Sequence, residues 1–372
     1  MPFCRALCGY CAFARELYDE ALAERWLDGL AAEIAHRGRA TWGGRPELDT
    51  LFLGGGTPSA LSASQWTRLG RLLADGFAIL PAAEVTAEAN PESFTPRAAE
   101  AMRAAGVNRE SLGAQSMDPA ELRMLERVHG PAEVARAVRI AREAGFESLN
   151  LDLIYALPGQ SADSFASTLA QVLSLGPDHL SAYCLGLEPG TPLAAEVASG
   201  ALPRPDDDLA RAHYELLVDR AEAAGLALYE ISNFARPGHS CRHNLRYWRR
   251  DDFLALGPSA HGLYRNRRWA NPATLEAWLD AYAPGGRAPV PREVPREEAQ
   301  FEWIFLRLRL AEGFSEAEFA AAWGEPIDGV HGETVARQVA QGWLLREAGR
   351  IRLHPEARFV SDALFAEYAP SR

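Results

Sequence analysis

Much of what would point this chain toward other functions is missing from it. No run of about 18 apolar residues occurs, so no membrane-crossing helix is expected. The opening residues hold no apolar stretch of about 7–15 residues behind a positive start, so no secretory signal is read there. Positive charge is in deficit: 38 Lys and Arg stand against 50 Asp and Glu, a net charge of −12. That balance argues against a general nucleic-acid or anionic-membrane surface, though not against a local basic pocket. Cysteine is scarce, with five residues in 372. The expected location is cytoplasmic, and five thiols there are not a disulfide framework. Clustered thiols in that setting bind metal or do chemistry.

What is present is a chain able to build a core. Hydrophobic residues make up 48% and charged residues 24%, both ordinary for a globular protein. The length suits one large domain and a smaller one. A first helix is read over 16–38, with Trp26, Leu27, Leu30 and Ile34 on one face. The β-rich runs "LDTLFLGGGTP", "EVTAEANP", "GVNRESLGAQS", "SLNLDLIYALPG", "HLSAYCLGLEPGT" and "LALYEIS" then alternate with helical stretches up to about residue 224. Alternation predicts parallel strands with right-handed crossovers, about six β/α units in residues 1–232. A full or partial barrel competes here with an open doubly wound sheet. Residues 233–290 are aromatic, Arg-rich and irregular, as a capping segment would be. Residues 291–372 read as a small, mostly helical unit with a strand pair turning at Gly349.

Four features carry chemistry. Cys4, Cys8 and Cys11 form C-x3-C-x2-C, and soft thiolates suit zinc, Cu(I) and iron–sulfur clusters. A structural zinc site wants four ligands, and no second Cys/His pair lies nearby in sequence. Three cysteines on a four-iron cluster leave one iron open to a substrate or cofactor. The second feature is Gly54-Gly55-Gly56-Thr57 at the end of a strand, where backbone groups can approach a ligand closely. It is neither a Walker loop nor G-x-G-x-x-G, and a tight turn explains it equally well. The third is the series Glu88, Gln115 and Asp152, polar residues in successive apolar strands. Each must find partners or pay desolvation, and the C-terminal ends of such strands hold active sites. Arg127 could reach a carboxylate by a bidentate fork. The fourth is "CRHNLRYW", Cys241 to Trp248. Aromatics and Arg suit a flat anionic macrocycle, and His243 or Cys241 could ligate its iron. A structural turn with a buried Trp is the plainer reading of those residues.

Taken together and in order, C-x3-C-x2-C, "GGGTP", "EANP", "SLGAQS", "DLIYALPGQ" and "CRHNLRYW" resemble the radical S-adenosylmethionine proteins related to oxygen-independent coproporphyrinogen III oxidase. The resemblance runs from residue 1 to about 265, and the C-terminal segment resembles the family's small helical wing. It implies a partial (β/α)6-type barrel. It implies that Cys4, Cys8 and Cys11 hold a [4Fe–4S] cluster whose fourth iron takes S-adenosylmethionine. Gly55, Gly56 and Thr57 would face that cofactor's amino-acid part and Arg127 its carboxylate. Glu88, Gln115 and Asp152 would complete the pocket. One electron from the cluster, supplied by a donor, would then cleave the sulfonium to a 5′-deoxyadenosyl radical.

The family divides. Its oxidases carry a further cysteine two residues after the third, where this chain has Phe13. Phe13 resembles the branch regarded as haem chaperones, which bind haem and pass it to acceptor proteins. The expected partners are therefore haem and an acceptor protein, with no nucleic acid and with membrane contact only through the acceptor. In that branch "HNLRYW" is the candidate haem region, with His243 foremost. The alternatives are a porphyrinogen-decarboxylating radical enzyme and a non-catalytic metal-binding scaffold. Three departures stand out. The strand that precedes the first cysteine in relatives is expected to be missing, through a truncated or misassigned start. Glu110 stands where relatives mostly carry an aliphatic residue, and Ala156 where they mostly carry Gly.

Overall fold

The computed structural model describes residues 1–370. Two short strands, β1 (Phe3–Cys4) and β2 (Glu16–Leu17), pair in parallel around the cysteine loop. The first helix, α1 (Glu20–Arg37), starts later than its periodicity suggests, because Asp19 caps it by accepting from Leu22 N at 2.9 Å. A repeating unit follows: β3 (Glu47–Leu53), α2 (Ala63–Gly76), β4 (Ala78–Ala89), α3 (Pro96–Ala104), β5 (Arg109–Gln115), α4 (Pro119–Met124) and α5 (Pro131–Glu143). Then come β6 (Ser148–Tyr155), α6 (Ala162–Ser174), β7 (His179–Cys184), α7 (Pro192–Ser199) and α8 (Asp207–Ala223). Helix starts are signalled locally. Ser62 and Gln65 form a capping box on α2, and Thr95, Asp118 and Ser161 cap α3, α4 and α6.

The strands form one seven-stranded sheet in the order β3-β4-β5-β6-β7-β9-β8, the last two being β8 (Ala227–Glu230) and β9 (Asn233–Ala235). β3 to β7 are parallel. β9 is antiparallel to both β7 and β8, so it inserts between two strands that share a direction. The expectation of parallel strands throughout misses this hairpin, whose return strand is only three residues long and carries no periodicity. The sheet is curved. Phe52 on β3 and Ser181 on β7 line one cavity of about 250 Å³, although four strand spacings would set them roughly 19 Å apart in a flat sheet. This is the partial barrel that the motif order implied, and the open doubly wound sheet is excluded.

Side chains alternate across the curved sheet. The concave face carries Glu84, Thr86, Glu88, Arg109, Ser111, Asn150, Asp152, His179 and Ser181. The convex face carries Val85, Ala87, Leu112, Ala114, Leu149, Leu151, Leu153, Leu180 and Ala182, all buried beneath the helices. Glu110 breaks the pattern. Its position in β5 puts it on the convex face, fully buried, with neither carboxylate oxygen partnered. Burial holds its carboxyl well above the usual range. Ala156 sits at φ +60°, a left-handed conformation that glycine adopts without strain.

Beyond the sheet come α9 (Arg242–Trp248), the hairpin β10 (His261–Tyr264) and β11 (Arg267–Ala270), and α10 (Leu275–Tyr282). This stretch is more regular than its sequence suggests. It is tied to α1 by a buried network: Glu33 accepts from Trp278 Nε1 (2.9 Å), Asn271 Nδ2 (2.6 Å) and Gly257 N (2.7 Å). The last part holds β12 (Arg292–Glu293), α11 (Arg296–Leu308), β13 (Phe314–Ser315), α12 (Glu316–Trp323), α13 (Ile327–Ala340), β14 (Leu344–Glu347), β15 (Arg350–Leu353) and α14 (Ser361–Ala366). β14 and β15 form the strand pair, turning at Ala348 and Gly349, around a second hydrophobic core of Trp303, Phe314, Phe319, Ile351 and Phe365. No described helix is long and apolar enough to cross a membrane.

Candidate functional site

Cys4 ends β1, and Cys8 and Cys11 lie on the loop that leads from it to β2, all three half-buried and unpaired by disulfides. The loop is fastened at several points. Glu16 N donates to Pro2 O (2.7 Å), Tyr18 N to Cys4 O (2.8 Å), and Leu193 N to Gly9 O (3.0 Å), while Arg15 reaches the Cys8 carbonyl. Two donors point at the sulfurs themselves. Thr57 Oγ1 donates to Cys4 Sγ at 3.5 Å, and Arg127 Nη1 to Cys8 Sγ at 3.3 Å. Asn90 joins these two donors, giving a hydrogen bond to Thr57 Oγ1 (3.0 Å) and accepting one from Arg127 Nη2 (2.7 Å). Arg127 also donates to Gly113 O at 2.9 Å, and its Nε is buried without a partner.

The glycine run lies against this loop. Gly56 N donates to Met1 O (2.7 Å) and Thr57 N to Phe3 O (2.6 Å), which extends backbone pairing from the end of β3 to the N-terminal residues. A Cβ at Gly56 would stand 2.6 Å from Phe3 O, and one at Gly54 would stand 2.7 Å from the Glu88 carboxylate. The glycines are needed for close approach. Gly55 N donates to Glu88 Oε2 at 3.0 Å. Burial, with the nearby charge of Asp152, pushes the Glu88 carboxyl up to about 7.

Asp152 accepts from Ser111 Oγ (3.0 Å) and Asn150 Nδ2 (2.7 Å), and burial still raises its carboxyl. His179 Nδ1 is 2.7 Å from Asn150 Oδ1 and its Nε2 is 2.9 Å from Tyr229 OH, so the floor of the barrel is one connected network. Gln115 ends β5 at φ +65°, at a register shift against β6, and its amide makes no hydrogen bond to a described residue. Tyr10, between two of the cysteines, is half-buried, and desolvation pushes its phenol up against the opposing charge of Arg127.

The structure therefore brings Cys4, Cys8, Thr57 and Arg127 into one bonded set, with Glu88 and Asp152 on the concave wall beside it. Asn90, Ser111 and Asn150 were not singled out in the sequence. Their signal was the period-two recurrence of polar residues along β4, β5 and β6, of which only one member per strand drew notice. "CRHNLRYW" lies at the sheet but in a different role. Glu84 accepts from Arg242 N (3.1 Å) and His243 N (3.0 Å), which seats α9 on the barrel. Cys241 is buried, its thiol pushed up to about 12, and it donates to Glu84 at 3.6 Å. His243 has both ring nitrogens engaged, Nδ1 with Thr50 Oγ1 (3.0 Å) and Nε2 with Tyr247 OH (2.9 Å), and burial lowers it to about 4. It lines a cleft of about 550 Å³ beside β3, together with Gly54, Gly55, Phe52 and Tyr247.

Residues 1–172 match the Radical SAM superfamily and residues 294–360 the HemN C-terminal domain. Heme chaperone HemW of Mycobacterium tuberculosis is 38% identical over 371 residues, covering 98% of this chain and 92% of the relative. This chain belongs to the HemW family. The HemW of Bacillus subtilis is 31% identical, covering 99% of this chain and 97% of the relative, and that of Escherichia coli is 33% identical, covering 92% and 90%. Among solved structures, coproporphyrinogen III oxidase (HemN) from Escherichia coli, a radical SAM enzyme, superposes with a TM-score of 0.85 at 25% identity, covering 99% of this chain and 88% of that one. Membership in the radical SAM superfamily implies a [4Fe–4S] cluster and S-adenosylmethionine. The HemW-family cysteine loop fits a cluster: three soft donors share one loop, and N–H and O–H groups are aimed at two of the sulfurs. No three His, Cys, Asp or Glu among the described residues converge as a single metal ion would require.

Proposed function

We propose that this chain is a haem carrier of the radical S-adenosylmethionine type, which binds haem and passes it to an acceptor protein. The observation that carries this reading is the near full-length likeness to haem chaperones, 38% identity over 371 residues. Phe13 supports it, because the oxidase branch has a cysteine at that place. The fold is shared with the oxidase, so fold alone does not separate the two.

In this reading Cys4, Cys8 and Cys11 hold the cluster, and Gly55, Gly56, Thr57, Glu88, Gln115, Arg127 and Asp152 surround S-adenosylmethionine. When bound, the cluster supplies one electron, drawn from an external donor. This chain's residues position the groups around it. Thr57 and Arg127 donate to cysteine sulfurs and so tune the negative charge there. Gly55 and Gly56 let backbone approach without a Cβ. Glu88 holds a proton at its carboxyl up to about neutral pH, so it can donate or accept there. Asp152 and the free Gln115 amide offer acceptors and donors for hydroxyl or amide groups. We assign residues 1–232 as the barrel, 233–290 as the covering segment and 291–372 as the wing.

The test is anaerobic. The purified chain is reconstituted with iron and sulfide, then titrated with ferric haem, mixed with a haem-free acceptor, and assayed in parallel for coproporphyrinogen turnover. Haem binding and transfer without turnover is the expected result. Turnover would establish the oxidase reading instead, and failure to bind haem would sink the carrier reading.

A further inference from the structure

His179 stands apart from the set around the cysteines, yet it is buried on the concave wall with both ring nitrogens engaged. We propose that His179 is a positioning residue, which acts through Asn150 to fix the Asp152 carboxylate for S-adenosylmethionine. The assignment rests on the reading that Asp152 belongs to that cofactor's pocket. Strand register supplies the frame. Ser111, Asn150 and His179 are direct partners across β5, β6 and β7, and Asp152 follows Asn150 by two residues on the same face. The partner of Asp152 on β5 is Gly113, where a Cβ would stand 2.9 Å from the Gln115 amide and 3.3 Å from Arg127 Nη2. Glycine there keeps the wall between Asp152 and those two groups clear of a side chain.

The direction of each hydrogen bond is forced. An ionised carboxylate only accepts, so the Asn150 atom 2.7 Å from Asp152 Oδ1 is its Nδ2, which also donates to Ser111 Oγ at 2.7 Å. Ser111 gives its own proton to Asp152 Oδ2 at 3.0 Å. Asn150 Oδ1 is left as the acceptor, toward Ser181 Oγ at 3.1 Å and His179 Nδ1 at 2.7 Å. His179 therefore carries its proton on Nδ1. Burial, with the Arg109 charge nearby, keeps the ring neutral. Its Nε2 then accepts, and the Tyr229 hydroxyl donates to it at 2.9 Å. Tyr229 accepts in turn from Cys241 N at 3.3 Å. Every bond in this chain points the same way, from the start of α9 to Asp152.

A histidine that only fills the core needs partners, but in no particular order. Here the tautomer is imposed from both ends, by an amide oxygen at Nδ1 and a phenol at Nε2. Bonds aligned in one direction polarise and strengthen one another. Turning the Asn150 amide over would set its oxygen against the Asp152 carboxylate and its nitrogen against the His179 proton. His179 thus locks the amide that steers Asp152, without touching the cofactor itself. The chain lies wholly on β5 to β8 and at residue 241. It joins the cofactor wall to the first residue of "CRHNLRYW".

The experiment has two readouts. The full chain with ¹⁵N-labelled histidine is examined by NMR before cluster loading, the His179 signals being assigned by their loss in His179→Asn. The cluster-reconstituted chain is then titrated anaerobically with S-adenosylmethionine, beside His179→Asn, His179→Gln and Asp152→Asn, each checked for native melting. His179 should show the neutral Nδ1–H tautomer. Asn places its amide nitrogen where Nδ1 stands, whereas Gln places its amide where Nε2 stands. His179→Asn should therefore keep wild-type affinity, while His179→Gln and Asp152→Asn should each lose about tenfold. An Nε2–H tautomer would overturn the assignment, as would equal affinity in the two His179 variants, since a purely structural histidine would affect both alike. Should neither variant fold, the tautomer decides alone. Wild-type affinity in Asp152→Asn, or no binding by the wild-type chain, would overturn the cofactor reading instead, so the two failures are distinct.

Discussion

Arg127 holds the Cys8 sulfur at 3.3 Å with one nitrogen while its other terminal nitrogen is fixed by Asn90 at 2.7 Å and Gly113 O at 2.9 Å. A planar guanidinium can satisfy all three at once, and a lysine ammonium cannot keep that fork. Arg127→Lys is expected to keep the fold but lower cluster retention and S-adenosylmethionine affinity, each by about tenfold. Iron content after gel filtration and isothermal titration check this. Wild-type values for both would show that charge alone, without the fork, suffices.

Glu88 has a carboxyl raised from 4.5 to about 7. The folded state then binds a proton that the unfolded chain has already lost, so stability falls as pH rises between those two values and levels off above the upper one. Glu88→Gln should flatten that limb of the stability curve. Denaturant midpoints measured across the window decide it, and an unchanged slope in the variant would remove Glu88 as the source.

Glu110 is fully buried on the helix-facing side of β5 with neither oxygen partnered. Glu110→Leu should stabilise the protein by about 1–3 kcal/mol, the cost of an unsatisfied buried polar group. The gain should grow with pH, because the raised carboxyl loses its proton more readily in the unfolded chain. A loss of stability at neutral pH would mean that the site needs the carboxyl.

Ala156 sits at φ +60° directly after β6. Ala156→Gly relieves left-handed strain but adds unfolded-chain entropy, for a net gain of about 0.5–1 kcal/mol. Thermal melting tests it, and a lower melting temperature would contradict it.

Glu33 and Arg37 are both fully buried, and Glu33 gathers hydrogen bonds from Asn271, Trp278 and Gly257. Glu33→Ala leaves the Arg37 charge without its acid and should cost about 3–5 kcal/mol. Limited proteolysis should then cut first in the segment around residues 250–290. A shift in denaturant midpoint without early cleavage there would show that the network does not hold that segment.

Much of the site was legible in the chain because its signals are local. The spacing of Cys4, Cys8 and Cys11, the glycines after β3 and the strand–helix rhythm are short-range properties, and the barrel follows from that rhythm. Less was legible where partners are distant in sequence. Asn90 gains its role only by standing between Thr57 and Arg127, and the β9 insertion depends on which neighbour a three-residue strand finds. His243 shows the limit most clearly. Its residue type and aromatic neighbours suited a haem ligand, yet folding places Thr50, 193 positions away, against one ring nitrogen and Tyr247 against the other. The chain alone determined which chemistry-bearing side chains exist and on which strand or loop each lies, because periodicity and turn residues act over a few positions. The tertiary structure decided which of those side chains remain available. A lone pair or a carboxyl proton is taken up by whatever group packing brings within about 3 Å.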